Sequence, residues 1–268
     1  MNLAISEFSR SVTAEVYKLK RTPILWISII GGMTSAIIVF LMFLILIDEF
    51  VNFNQTPWAE YYQICHGLLT NFLLVPYIVL ASSTIIQAEH NSNAWKYLYA
   101  LPLNKSSVYF SKMLVTIALI AMALAIFWVA SLMGGYIIGY FRPEYEFLDY
   151  SAAPFRWLSV IFHTFIASLG VAALQYWFNI RWKNYIIPIS IGLLGFIFAV
   201  LVVGEDRIAL YFPYCYPMHI AEKMDYAKTF DVANPMTMGI SKAEWNSLIV
   251  FAVFSVIGFY EQKIRNVK

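Results

Sequence analysis

Charged side chains are scarce in this sequence, and their scarcity excludes an ordinary soluble domain. Only 13% of the 268 residues are Asp, Glu, Lys or Arg, whereas 60% are hydrophobic. Charged residues make up about 25% of a typical soluble domain. A run of roughly 20 apolar residues is long enough to cross the hydrocarbon core of a bilayer. The composition therefore indicates an all-α membrane protein with no room for a separate catalytic domain.

Motifs that support enzymatic chemistry are missing as well. The sequence has no G-x-x-x-x-G-K-[ST], H-E-x-x-H or G-x-S-x-G pattern, which excludes a phosphate loop for ATP and two common hydrolase signatures. Its four histidines are scattered, and His219 with Glu222 alone does not form a zinc site. We expect no catalytic residue, metal or cofactor on this chain. The small net charge of +2 gives no indication of nucleic-acid binding.

Cysteine is also rare, with Cys65 and Cys215 as the two examples. The charge pattern described next assigns both to the outer side of the membrane, where thiols can be oxidised. The two residues either form a disulfide or remain unpaired thiols in apolar surroundings. The sequence leaves both states open.

Six long apolar runs are present, and the gaps between them differ in charge. The runs are Pro23 to Ile47, His66 to Ile86, Val108 to Tyr140, Trp157 to Phe178, Tyr185 to Val203 and Leu248 to Tyr260. The N-terminal tail, the second gap taken as residues 87–112, the fourth gap and the C-terminus hold 12 of the 18 Lys and Arg residues. The other three gaps hold 12 of the 16 Asp and Glu residues. Because cytoplasmic loops retain Lys and Arg, we predict six transmembrane helices with both termini in the cytoplasm.

The runs differ in length and in the residues that interrupt them. The third is the longest and should tilt or extend into the cytoplasm, whereas the sixth is the weakest prediction because only about 13 of its residues are strongly apolar. Gly135 and Gly139 allow close helix packing, more plausibly within the chain than at a dimer interface. Pro76 and Pro188 should kink their helices or mark discontinuities.

Polar residues inside the runs are few and uncharged or nearly so. Asn71 and Gln175 are expected to hydrogen-bond across helices, and His163 lies in the fourth run. No Asp, Glu, Lys or Arg falls in the middle of a run, which disfavours a carrier driven by protons or sodium ions because such carriers use a buried carboxylate.

Residues 1–22 are predicted to form an amphipathic helix at the membrane surface. One helical stripe carries Ile5, Phe8, Val12, Val16 and Leu19. Lys18, Lys20 and Arg21 can contact anionic lipid headgroups, and Pro23 breaks the helix before the first run. The segment then forms an elbow between the membrane surface and the first span. The alternative is a plain basic flank that only sets the orientation of the chain.

The second gap, residues 87–112, contains a short helix pattern. Ser92 or Asn93 can cap a helix over 94–101, and Pro102 ends it. Trp95 and Leu98 then project from one side. This segment is predicted to form either an apolar contact for a cytoplasmic partner or an aromatic anchor packed on lipid.

Three features of the sequence occur together in one known family. The segment EVYKLKRTP (Glu15 to Pro23) precedes the first run, and the second gap has an acidic residue, a short helix, a proline and a lysine-bearing helix start (Glu89 to Lys112). The third feature is the layout of six runs with a long outer segment, 204–247, before the last. Together they resemble type-2 ABC transporter permeases, especially the small six-span subunits of lantibiotic-immunity and bacitracin-resistance exporters that work with a separate ATPase.

The resemblance implies roles for particular residues. Those expected to couple the chain to its ATPase are Glu89, Trp95, Lys96, Tyr97, Leu98 and Pro102. Those expected in the elbow helix are Glu15, Lys18, Lys20 and Arg21.

The resemblance also implies the setting in which the chain works. The whole chain, 1–268, would be one permease domain in a bacterial plasma or inner membrane, paired with a second copy or a sister permease. Two copies of a separate ATPase would bind ATP and Mg²⁺ and drive export of an amphipathic peptide, antibiotic or lipid. The alternatives are an ATP-independent channel, carrier or assembly scaffold, and an intramembrane enzyme.

Overall fold

The structure, a computed structural model, describes residues 2–20, 22–45, 56–91, 105–231 and 239–264. Within these ranges the chain is helical and contains no strand, as the sequence predicts. The helices are α1 (Asn2–Leu19), α2 (Ile24–Ile45), α3 (Pro57–Leu68), α4 (Leu74–Asn91), α5 (Lys105–Phe141), α6 (Pro154–Arg181), α7 (Ile186–Val202), α8 (Asp206–Ala209), α9 (Tyr216–Lys223), α10 (Tyr226–Phe230) and α11 (Lys242–Ile264). A π-helical turn, Leu69–Leu73, joins α3 to α4.

Five helical stretches of the described chain are long and apolar enough to cross a membrane. They are α2, the continuous α3–α4 unit up to Gln87, α5, α6 and α11. The sixth apolar helix, α7, has 17 residues and is about 26 Å long at 1.5 Å per residue. The sequence made the last run the weakest prediction, but that run belongs to the 23-residue α11. Polar residues from Lys242 onward lengthen α11 beyond its apolar part. The shortest of the six apolar helices is therefore α7 rather than α11.

The six apolar helices, α7 included, alternate in direction along the chain and bring two sets of helix ends together. Tyr62 of α3 donates to the Ala152 carbonyl just before α6, whereas Tyr176 near the end of α6 donates to the Tyr109 carbonyl at the beginning of α5. We call one side of the bundle the basic end, with the helix ends at Leu19, Ile24, Asn91, Lys105, Arg181, Ile186 and Ile264. The acidic end has those at Ile45, Pro57, Phe141, Pro154, Val202 and Lys242. This arrangement agrees with the charge division seen in the sequence.

Helices α6 and α11 are neighbours that run in the same direction. His163 meets Glu244 near the beginning of both helices, and Arg181 meets Glu261 near their ends. Parallel neighbours require the chain between them to return to the end where the first one began. Among the described elements, α7 makes that return.

The π-helical turn explains how α3 and α4 accommodate a proline. The ring of Pro76 collides with the carbonyl four residues earlier, at Phe72, and the proline has no N–H to bond it. The wider turn at Leu69–Leu73 is therefore the predicted discontinuity. Asn71 lies in this turn and makes no hydrogen bond to another described helix, so that prediction is wrong. Pro188 is the third residue of α7, and marks its beginning rather than a kink inside it.

Glycines in α5 receive aromatic side chains from the acidic end. A Cβ atom at Gly135 would overlap the ring of Trp58, and one at Gly139 would lie 2.9 Å from the Cβ of Phe147. The predicted use of these glycines in packing within the chain is confirmed.

Candidate functional site

The basic end contains a buried carboxylate that is shared between two lysines. Glu15 of α1 forms an ion pair with Lys18 at 2.7 Å and with Lys112 of α5 at 2.8 Å. The Lys112 side chain is only 1% exposed and that of Glu15 only 8%. A buried charge is destabilising by several kcal/mol unless it is paired. The contact therefore fixes the position of α1 on α5.

The packed face of α1 differs in one position from the predicted apolar stripe. Leu19 is buried and Phe8 and Val12 are half-buried, in agreement with the stripe. Val16 is exposed, whereas Glu15 is buried. The sequence pattern missed this exchange because the partner of Glu15, Lys112, is 97 positions away.

A break follows α1, as predicted. The helix ends at Leu19, the amide of Thr22 donates to the Leu19 carbonyl, and α2 begins after Pro23. The ammonium group of Lys20 lies 5.0 Å from the ring centroid of Tyr17. Arg21 lies outside the described residues.

The predicted coupling helix falls almost entirely outside the described part of the chain. The residues concerned are Trp95, Lys96, Tyr97, Leu98 and Pro102. Glu89 is in α4, but its side chain is also outside the description. What the structure does fix is both sides of the segment, since α4 ends at Asn91 and α5 begins at Lys105. The ion-paired Lys112 is two helical turns further on, about 10 Å along α5.

Buried polar contacts join α4, α6 and α7 above the basic end. Asn179 of α6 accepts a hydrogen bond from Ser83 of α4 at 2.9 Å. Gln175 donates to the Pro188 carbonyl at 2.7 Å and accepts from the Tyr214 hydroxyl at 3.0 Å. The predicted bond of Gln175 across helices is confirmed.

The acidic end has its own shared carboxylate. Glu244 of α11 is 1% exposed, and its Oε1 lies 2.6 Å from His163 Nδ1 of α6. Its Oε2 accepts from the backbone N–H of Ser241 at 2.6 Å. Both oxygens of the carboxylate are therefore engaged by the protein, and one of them orients the imidazole of His163.

A cavity of about 260 Å³ lies beside this pair. The residues that line it are His163, His219, Ile220, Lys223, Met224, Asp225, Thr229, Gly239, Ser241 and Glu244. His219 is only 9% exposed, and its Nε2 has no hydrogen-bond partner among the described residues. That nitrogen lies 3.4 Å from Oδ1 of Asp206, which is close enough for an ion pair when the imidazole is protonated.

The charged side chains at this cavity stay ionised at neutral pH. The ammonium group of Lys223, 2.8 Å from Asp206 Oδ1, lowers the pKa of that carboxyl through their hydrogen bond, and the pKa of Lys223 is raised in return. The pKa of Asp225 is lowered because its carboxylate accepts from the backbone N–H and the side chain of Lys228.

The outer segment 204–247 is attached to the bundle by buried hydrogen bonds. Its described part contains three short helices, α8 to α10. Fully buried His66 in α3 contacts the Tyr226 hydroxyl through Nδ1 and the Thr164 hydroxyl through Nε2, both at 2.7 Å. These contacts tie α10 to α3 and α6.

Neither cysteine is paired in the structure. Cys65 and Cys215 are both free thiols and both buried, which is the second of the two states that the sequence left open. Within the described ranges, no three His, Cys, Asp or Glu side chains are grouped to hold a metal.

Sequence reasoning missed two contacts of the candidate sites, Glu15 with Lys112 and Glu244 with His163, although each left a signal. Lys112 and His163 interrupt apolar surroundings, and Glu15 and Glu244 stand beside helices that pack against them. A polar residue in such a position needs a partner. The sequence does not identify that partner because contacts between distant segments depend on how the helices pack.

Comparison with known proteins gives one result for this chain. A family model described as ABC-2 family transporter protein matches residues 11–199. No curated protein sequence matches the chain. The matched region begins within α1 and ends within α7, so it contains Glu15 and Lys112 but not the segment that carries His219 and Glu244.

Proposed function

The chain belongs to the ABC-2 family of transporter proteins, and from this membership we propose that it is the permease subunit of an ATP-driven exporter. In this proposal the chain crosses the membrane six times with both termini in the cytoplasm. It couples ATP hydrolysis by a separate ATPase to the export of an amphipathic substrate such as a peptide, an antibiotic or a lipid.

The parallel arrangement of α6 and α11 supports six crossings. If both helices cross the membrane in the same direction, the chain between Arg181 and Lys242 has to cross it in the opposite direction. The apolar helix α7 is the described element in a position to do so. Its 17 residues are at the lower limit for a span, about 17–25 residues.

The charge difference between the two ends supports the orientation. The gaps at the basic end contain 12 of the 18 Lys and Arg residues. Since positively charged loops are retained in the cytoplasm, the basic end faces the cytoplasm in this proposal. The elbow, the segment 92–104 and the turn between α6 and α7 then all lie on the side where an ATPase binds nucleotide.

The observation that carries the coupling proposal is the buried ion pair of Glu15 with Lys112. Segment 92–104 continues directly into α5, and Lys112 in α5 is bonded to α1. A displacement applied to that segment by an ATPase would therefore move α5 and α1 together as a rigid body. In this proposal Trp95, Leu98 and their neighbours supply the apolar contact that receives the displacement.

The partners follow from the same proposal. Two copies of a separate ATPase subunit bind ATP and Mg²⁺ below the membrane. A second permease, either an identical copy or a sister chain, completes the path for the substrate, and the complex resides in a bacterial plasma or inner membrane. Nucleic acid has no role.

The experiment is a purification of the tagged full-length chain from its native membranes in mild detergent. We expect vanadate-sensitive ATP hydrolysis to co-purify with it. The double variant Trp95→Ala and Leu98→Asp removes the apolar contact and places a charge in it. We expect this variant to lose at least about tenfold of the co-purified activity, because one desolvated contact of this kind is worth ~2 kcal/mol or more.

The matched control is Trp26→Ala, which removes an aromatic side chain that is 68% exposed on α2. This control should retain the ATPase. Full ATPase recovery with the double variant would contradict the coupling role of the segment. Substrate flux in vesicles that contain the chain alone, without ATP, would instead support the channel or carrier alternative.

A further inference from the structure

The cavity at the acidic end lies where the apolar surface of the protein meets its polar end. Four residues that line it are adjacent in sequence to one of three large exposed apolar side chains. Phe162, next to His163, is 58% exposed, Trp245, next to Glu244, is 55% exposed, and Ile240 between Gly239 and Ser241 is 48% exposed. Exposed aromatic and aliphatic side chains beside polar groups are typical of the membrane interface.

The lining of the cavity carries charges of both signs. Lys223 supplies an ammonium group, which also pairs with Asp206 at 2.8 Å. Asp225 supplies a carboxylate that is 50% exposed and also pairs with Lys228 at 3.0 Å. A ligand with a single charge would meet a like charge in this space, whereas a ligand with one positive and one negative group can pair both. The lining is thus complementary to a zwitterion.

The two histidines offer opposite hydrogen-bonding groups to such a ligand. The Glu244 carboxylate accepts from His163 Nδ1–H, which leaves the Nε2 atom of His163 for a ligand; this atom is an acceptor in the tautomer whose single proton is on Nδ1. The buried Nε2 of His219 forms no well-aligned hydrogen bond in the described part of the chain, although Asp206 Oδ1 lies 3.4 Å from it. It can act as a donor when it carries the proton. A buried polar atom without a well-aligned partner is destabilising, so a ligand that satisfies it gains affinity.

The volume of the cavity limits the size of the ligand. At about 260 Å³ the cavity is smaller than most sites for whole drug-sized molecules, which occupy about 300–1,000 Å³. It has room for one compact polar group whose apolar remainder stays outside. The exposed Phe162, Ile240 and Trp245 provide a surface for such a remainder.

We propose that this cavity binds the headgroup of an aminophospholipid. The ligand's ammonium group is bound by Asp225 and His163, and its phosphate by Lys223 and His219, while the acyl chains lie on the neighbouring apolar surface. Glu244 is a positioning residue that fixes the orientation of His163. This inference requires only that the chain is embedded in a membrane, so it stands or fails independently of ATP-driven export.

The test uses the full-length chain, purified and delipidated in detergent, with lipids of identical acyl chains. Dioleoyl phosphatidylethanolamine, phosphatidylcholine and phosphatidylglycerol are added in turn, and bound lipid is measured by native mass spectrometry. We expect phosphatidylethanolamine to bind at least about tenfold more tightly than phosphatidylcholine, whose quaternary nitrogen has no N–H to donate. Phosphatidylglycerol, which lacks the ammonium group, should bind as weakly as phosphatidylcholine.

Variants connect the binding to the cavity. Asp225→Asn keeps an oxygen that can accept from the Lys228 N–H but removes the charge, and Lys223→Gln removes the ammonium group. Each should weaken phosphatidylethanolamine binding by about tenfold or more. The matched controls are Asp149→Asn, an exposed carboxylate at the same end, and Lys183→Gln, an exposed lysine at the other end. Both control variants should bind phosphatidylethanolamine with the same affinity as the unaltered chain.

Thermal unfolding of each variant shows whether it is folded, so a loss of binding with an unchanged transition supports the site. Equal binding of the three lipids, or equal binding by Asp225→Asn, would overturn the proposal. Free phosphoethanolamine distinguishes a lipid from a soluble ligand. If it binds as tightly as the lipid and competes with it, the lipid assignment is wrong and the cavity is a site for a soluble zwitterion.

Discussion

Each end of the bundle contains a buried carboxylate that is shared between two partners, but the partners differ in chemical type. At the basic end, Glu15 is shared between Lys18 and Lys112, and at the acidic end, Glu244 is shared between His163 and the Ser241 amide. Each carboxylate fixes one helix against another. At the basic end the carboxylate pairs with two lysine side chains, whereas at the acidic end it pairs with an imidazole and a backbone N–H group.

The space beside each carboxylate differs as well. The cavity next to Glu15 measures about 20 Å³, whereas that next to Glu244 measures about 260 Å³. The first has room for about one water molecule, the second for a polar headgroup. A filled contact suits the transmission of a displacement between helices, and an open one suits the binding of a ligand. The difference is consistent with the separate tasks proposed above for the two ends.

The largest expected effect is at the basic end. Glu15→Ala removes the carboxylate next to Lys112, a side chain that is 1% exposed. Breaking a buried ion pair from one side is destabilising by about 3–5 kcal/mol. The free energy of unfolding in detergent measures the effect, and Glu7→Ala on the same helix is the control. An equal decrease in the free energy of unfolding for Glu15→Ala and Glu7→Ala would show that the buried ion pair does not stabilise the fold.

A smaller loss is expected at the acidic end. Glu244→Ala leaves the Ser241 amide and His163 Nδ1 without their acceptor, which is destabilising by about 1–3 kcal/mol. Glu222→Ala, at an exposed position of α9, should change the free energy of unfolding by less than about 0.5 kcal/mol. A loss at Glu244 as large as that at Glu15 would remove the distinction between the two ends.

An exposed ion pair shows whether burial or charge sets these effects. Arg181 and Glu261 meet at 3.2 Å at the basic end, with side chains 48% and 27% exposed. Arg181→Ala should cost at most about 1 kcal/mol, since solvent screens such pairs. The same unfolding experiment measures it. A loss comparable to that of Glu15→Ala would mean that the charge of the basic end, rather than burial, is what matters.

The smallest expected effect is the reaction of the two native cysteines with thiol reagents in the folded protein. Burial and the nearby Glu222 raise the pKa of Cys215 to about 12, so at pH 7–8 almost none of it is in the reactive thiolate form. Cys65 is fully buried. We expect a maleimide reagent to label neither thiol in the folded protein and both after denaturation. A Lys183→Cys variant provides an exposed control, and failure of both native cysteines to react after denaturation without reductant would reveal a disulfide.

The helices were predictable from sequence because hydrophobicity is a local property. The long apolar runs and the charge of their flanks located the long helices and separated the two ends. Lengths were less predictable, since polar residues such as Lys242 and Glu244 continue α11 where the apolar pattern stops. Pro188 shows the same limit: a proline near the beginning of a helix interrupts nothing, and only the structure shows where the helix begins.

The candidate sites were predictable only in part. Glu15, Lys18 and Lys20 were recognised as elbow residues, but the contact of Glu15 with Lys112 depends on how α1 packs on α5. The cavity combines residues from α6, α9 and α11, and no pattern within any one segment indicates it. The coupling role of Trp95 and its neighbours stays a prediction.

The parallel pairing of α6 with α11 has a consequence for synthesis. The nascent chain completes α6 roughly sixty residues before α11 begins, which at about 5–20 residues per second is an interval of several seconds. During that time the ribosome has not yet supplied Ser247, which accepts from the Gly170 amide, or Glu244, which orients His163. The acidic end can therefore assemble only after the last helix has been made, and a chain that stops before α11 leaves this face of α6 uncovered.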